Sequence, residues 1–260
     1  MLIFFDIDGT LIPEPVGGIP ESAGRAIRIA REKGHICMIN TGRSLALVGP
    51  DVTGDVEFDG ILLGCGTMIN FRGETLLHKT FTVKEAEEII SGLGKYRIDA
   101  VLEGSEINFR DSDERIFTDV FRKYIHQFDH LHYKSFEEAP GHFDKFYAYA
   151  DQREKMEAFS REFGDRLDFV DRKGGYFEIM PKGCSKASGM RYIAERLGIP
   201  MSRTVAIGDS SNDIPMFESA AVSIAMGNAT EDVKEIVNFV TTDVDKDGIW
   251  NALKWLGIVE

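Results

Sequence analysis

Cysteine is scarce in this chain: 3 of 260 residues, Cys37, Cys65 and Cys184, lie far apart and in no C-x-x-C spacing. An odd, scattered set excludes a disulfide framework and a zinc ribbon, and it predicts reduced thiols in a cytoplasmic protein. Long apolar runs are also missing, so no segment is expected to span a bilayer, which takes about 20 apolar residues. Basic residues are outnumbered, 30 Lys and Arg against 43 Asp and Glu, for a formal net charge of -13. Nucleic acid and anionic membranes are held mainly by clustered Lys and Arg, so neither is an expected partner. A small anionic substrate remains compatible, because salt screens the overall field beyond about 8 Å and a bound cation or a lysine can reverse it inside a pocket.

What is present is an ordinary globular composition, 43% hydrophobic and 28% charged, in a chain long enough for one large or two smaller domains. The first apolar run, Leu2, Ile3, Phe4, Phe5, ends directly in Asp6, Ile7, Asp8, Gly9, Thr10. Residues two apart on a strand share a face, so Asp6 and Asp8 project together while Ile7 turns back to the core. A strand apolar on both faces belongs inside a parallel sheet, where ligands bind beyond the carboxyl ends. Two acids at that edge form a candidate catalytic pair.

The remaining pattern separates the two ends of the chain from its middle. A helix is expected over 21–33, strands over 35–39 and 60–63, and a hairpin over 68–79 turning at Arg72 and Gly73. Beyond Pro181, helices over 185–197, 213–219, 230–236 and 248–256 alternate with strands over 204–207, 222–225 and 239–241. This β-α rhythm implies a parallel α/β sheet. In between, helices over 83–95, 112–128 and 153–163 accompany strands over 98–102, 106–109, 131–136, 145–150, 167–170 and 176–179, the pattern of a mixed sheet with helices on one face. Residues 1–81 and 182–260 are therefore expected to form one domain, and 82–181 another.

Three further polar clusters fall at strand ends or helix starts of the outer domain. Thr41, Gly42 and Arg43 follow the second strand and offer a hydroxyl and backbone N–H groups to a phosphate. Lys186 falls in the first turn of a helix, where the dipole disfavours a cation, so a functional anion is its better explanation. Gly208, Asp209, Ser210, Ser211, Asn212, Asp213 end a strand with two acids four apart, which suits a hard divalent cation.

Taken in order, these four segments resemble the motifs of the haloacid dehalogenase superfamily. The insertion between the second and third motifs resembles the large cap of its Cof-type phosphatases. The resemblance extends through Glu178 to Lys186, Ala206 to Met216 and Ala225 to Ala229. It implies a doubly wound, Rossmann-like α/β core with an inserted α+β cap that closes over the substrate. It also implies a Mg²⁺-dependent phosphatase of small phosphorylated metabolites, sugar phosphates first and nucleotides or cofactors next. A phosphomutase and a non-catalytic phosphate-binding module are the alternatives.

By the same resemblance Asp6 is the nucleophile and Asp8 the general acid and base. Thr41, Gly42, Lys186 and Asn212 bind the phosphoryl group. Magnesium is held by the Asp6 carboxylate, the Asp8 backbone carbonyl and Asp209, with Asp213 orienting bound water. One departure is Gly64, Cys65, Gly66, where the subgroup usually has an Asn-Gly pair. His126, His130 and His132 are expected to form a solvated cluster, and Lys145, Gly174, Gly175 and Tyr176 are cap positions with a role toward substrate in view.

Overall fold

The computed structural model describes residues 1–13, 17–48, 52–128 and 131–260. From the first residue the chain forms β1 (Leu2–Phe5), α1 (Glu21–Glu32), β2 (Ile36–Asn40), β3 (Gly60–Leu63), β4 (Met68–Phe71) and β5 (Glu74–His78). There follow α2 (Val83–Tyr96), β6 (Asp99–Glu103), β7 (Asn108–Arg110), α3 (Asp119–Ile125), β8 (Tyr133–Ser135), β9 (Lys145–Tyr149), α4 (Arg153–Phe163), β10 (Leu167–Asp171) and β11 (Tyr176–Pro181). The last third holds α5 (Lys186–Arg196), β12 (Thr204–Gly208), α6 (Ile214–Ser219), β13 (Val222–Ala225), α7 (Glu231–Lys234), β14 (Phe239–Val240) and α8 (Gly248–Trp255). Two units result, one of 1–42, 48–77 and 185–260, the other of 43–47 and 78–184. The expected insert, 82–181, lies inside the second unit, which also takes in 43–47 and both connecting segments.

The first unit is built on one sheet in the order β14-β13-β12-β1-β2-β3-β4-β5. Its pairs from β14 to β3 are parallel and β4 returns antiparallel to β3. Every residue of β1 is buried because both of its faces are covered. Ile3 and Phe5 pack with Ile27 of α1 and Leu253 of α8, whereas Leu2 and Phe4 pack with Met190 of α5 and Phe217 of α6. Helices on both faces of a parallel sheet make this the doubly wound α/β architecture expected from the sequence.

The second unit has a six-stranded sheet, β10-β11-β9-β6-β7-β8, antiparallel except for the β7–β8 pair. Ile89 and Leu93 of α2 and Phe159 and Phe163 of α4 cover one face, against Leu102, Phe146 and Ile179. Phe121 and Ile125 of α3 meet Val101 and Tyr149 in a separate cluster. The helix expected over 112–128 is shorter than its periodicity suggests, since α3 spans only Asp119–Ile125. The Asp99 carboxylate accepts from the Phe117 N–H (2.7 Å) and the Thr118 hydroxyl (2.6 Å), which holds Thr118 extended as the N-cap. Likewise the helix expected over 230–236 is the single turn Glu231–Lys234. Among the described residues no helix is long and apolar enough to cross a membrane.

Candidate active site

Asp6 directly follows β1, and its N–H donates to the Ile207 carbonyl of β12, which fixes it at the carboxyl end of the two central strands. The chain then turns tightly, with Thr10, Leu11 and Ile12 all donating to the Ile7 carbonyl. Gly9 makes that turn at φ +72°, and a Cβ there would lie 2.5 Å from Asp209 Oδ2. The loop is thus pressed against Asp209, and the Thr10 hydroxyl donates to Asp209 Oδ1 at 2.9 Å.

Lys186 opens α5, where Ser185 and Ser188 form a reciprocal cap. Its ammonium reaches Asp6 Oδ1 at 2.7 Å and Asp213 Oδ1 at 2.6 Å, with all three groups buried. The other oxygen of Asp213 accepts from the N–H groups of Asp209 (2.9 Å) and Ser210 (3.1 Å). Ligand oxygens of Asp6, Asp209 and Asp213 lie within 4.8 Å of one another. Against three carboxylates Lys186 supplies one positive charge, so the cluster is short of counter-charge when all three are ionised. An all-oxygen donor set of this kind fits a hard divalent cation.

The electrostatics follow from this crowding. Burial, with repulsion from Asp213 and Asp209, pushes the Asp6 carboxyl up to about 8 despite the opposing pull of Lys186. For Lys186 burial acts downward, but Asp213 and Asp6 together hold its pKa above the usual lysine value, so it stays charged.

The other expected residues are distributed around this centre. Thr41 directly follows β2 and is fully buried, its N–H donating to Leu62 and its carbonyl accepting from Cys65 at 3.1 Å, with Gly42 half-buried beside it. Asn212 is in the turn before α6, where its Oδ1 accepts from the Ser210 hydroxyl at 2.7 Å. Asp8 is half-buried with its backbone bridged to Ile12, and its carboxylate is not part of the three-acid cluster. Thr10 was not among the expected site residues, although its place in the Asp-x-Asp-Gly-Thr segment was the available signal.

In the second unit, His126 meets Asp113 at 3.1 Å in an exposed position and His132 is exposed, while His130 lies outside the described residues. Among the described residues these histidines form no metal cluster. Lys145 is a buried ion-pair centre, 2.7 Å from Glu178 and 3.1 Å from Glu103. Tyr176 belongs to an aromatic group with Tyr124, Tyr147 and Tyr149.

A model of the haloacid dehalogenase-like hydrolases matches residues 3–253. The chain is 30% identical over 268 residues to the protein YkrA of Bacillus subtilis strain 168, covering 100% of this chain and 98% of the relative. Phosphatase YwpJ of the same organism is 28% identical over 287 residues, covering 98% and 99%. Among solved structures, the subclass IIB sugar phosphatase BT4131 is similar at 26% identity with a TM-score of 0.82, over 99% of both chains. The chain belongs to the haloacid dehalogenase-like hydrolase family, as a phosphatase of its Cof type.

Proposed function

We propose that the protein is a Mg²⁺-dependent hydrolase of small phosphorylated metabolites, sugar phosphates foremost, acting through an aspartyl phosphate on Asp6. The observation that carries this reading is the buried Asp6 carboxylate, gripped by Lys186 in a cluster with Asp209 and Asp213 at the end of a central strand. The similarity to a sugar phosphatase over almost the whole chain supports the substrate class.

In the first step an Asp6 oxygen attacks phosphorus, the Oδ–P bond forms, and the ester P–O bond breaks as Asp8 gives its proton to the leaving oxygen. In the second, Asp8 takes a proton from water, the water oxygen bonds to phosphorus, and the Asp6–phosphorus bond breaks to release phosphate. Lys186 holds the transferring oxygens, joined by Thr41, the Gly42 backbone and Asn212, which places charge where the transition state develops it. Asp213 keeps the Lys186 ammonium aimed, as their 2.6 Å contact supports. When bound by Asp6, Asp209 and the Asp8 carbonyl, with Asp213 orienting its water, magnesium supplies the positive charge that lets an anionic nucleophile meet an anionic phosphate.

Residues 82–181 are assigned, in the same reading, to selecting the substrate. The cytoplasmic location belongs with it, supported by three buried free thiols.

The test is phosphate release from a panel of phosphorylated sugars, nucleotides and cofactors, with Mg²⁺ and with chelator, for wild type and Asp6→Asn. Metal-dependent release that Asp6→Asn abolishes is the expected result. Isomerised sugar phosphate without free phosphate would replace hydrolysis by a mutase reaction, and unchanged release from Asp6→Asn would refute the nucleophile.

A further inference from the structure

Asn40, the last residue of β2, is fully buried. Strand alternation puts it on the face of Met38, which packs with Met190 and Met216. Its Nδ2 donates to the main-chain carbonyl of Lys186 at 3.1 Å and faces Met216 Sδ at 3.6 Å. Since a carbonyl only accepts, the nitrogen must be the end turned to Lys186. The Asn40 Oδ1 is buried with no hydrogen-bond partner. An amide left half-satisfied is costlier there than a leucine of the same shape, so packing does not account for it.

We infer that Asn40 is a positioning residue for Lys186. Its amide pins the first residue of α5, while the Ser185–Ser188 cap fixes the same turn. The backbone from which the lysine side chain springs is thereby fixed, and the ammonium reaches Asp6 without searching. This rests on the phosphatase reading, in which Lys186 holds the phosphoryl oxygens, and small displacements of such a group are expensive in rate.

The experiment compares wild type with Asn40→Leu, which keeps the shape and loses the donor, and with Asn40→Ala should the leucine variant not fold. Expected are a kcat lower by about tenfold with KM within about twofold, and vanadate binding weakened by about tenfold while inorganic phosphate binding is little changed. Asn40→Asp, with an acceptor turned to the Lys186 carbonyl, should be worse than Asn40→Leu. A folded variant with wild-type kcat and vanadate affinity would overturn the inference, as would equal losses of vanadate and phosphate binding with a lowered Tm. If wild type binds vanadate but hydrolyses no ester, the phosphatase reading fails and the vanadate comparison still decides Asn40. A wild type that binds no vanadate overturns both.

Discussion

Asp6 carries a titration that its surroundings impose. Its carboxyl is raised from 3.8 to about 8 because burial and two neighbouring acids outweigh one lysine. In the metal-free protein the native state therefore keeps a proton that the unfolded chain releases. The group contributes most to stability in acid, and that contribution is lost as pH rises from about 4 through about 8. Urea unfolding in chelator between about pH 5 and pH 8 should show stability falling with pH, and the slope should flatten in Asp6→Asn. An identical slope in the two proteins would refute this account of Asp6. Cys65 illustrates the same scale. It adopts φ +54°, a left-handed conformation that asparagine and glycine reach more readily. Its link to Thr41 is made by the main-chain N–H, so the Asn usual at this position is not needed for that contact.

Helix ends show how elements are set. At α2, Thr82 accepts from the Glu85 N–H while the Glu85 carboxylate accepts from both the N–H and hydroxyl of Thr82, and these bonds hold the glutamate's pKa below the usual range. Thr82→Ala should cost about 1 kcal/mol in denaturant unfolding, with kcat unchanged. The hairpin at Arg72 and Gly73 was legible because a short glycine-containing turn separates two short segments that carry apolar residues, and in the structure both turn residues take positive φ. The start of α3 was not legible. The carboxylate that stops it belongs to Asp99, 18 residues earlier, and local periodicity carries no trace of such a contact.

For the whole molecule, the large negative charge concentrates part of its cost where three acids meet. A divalent ion bound there stabilises the native state by mass action. With Mg²⁺ at a hundredfold excess over its Kd the gain is about 2.7 kcal/mol. Thermal unfolding should give a Tm that rises with Mg²⁺ in wild type and barely moves in Asp209→Asn. Equal shifts in the two proteins would place the ion elsewhere.

The sequence by itself determined a parallel α/β sheet at the two ends of the chain, because strand and helix periodicities and the order of β-α units are local patterns, while the doubly wound arrangement came with the family resemblance. It also determined the residue types at the strand ends, since Asp6, Thr41, Lys186 and Asp209 each follow or open an element readable from its own segment. Only the tertiary structure decided that Lys186 bridges Asp6 and Asp213, that Thr10 holds Asp209, and that Asn40 grips the base of α5. Those contacts join residues 27 to 199 positions apart. Such pairings arise from the packing of strands and helices against one another, and no local periodicity encodes them.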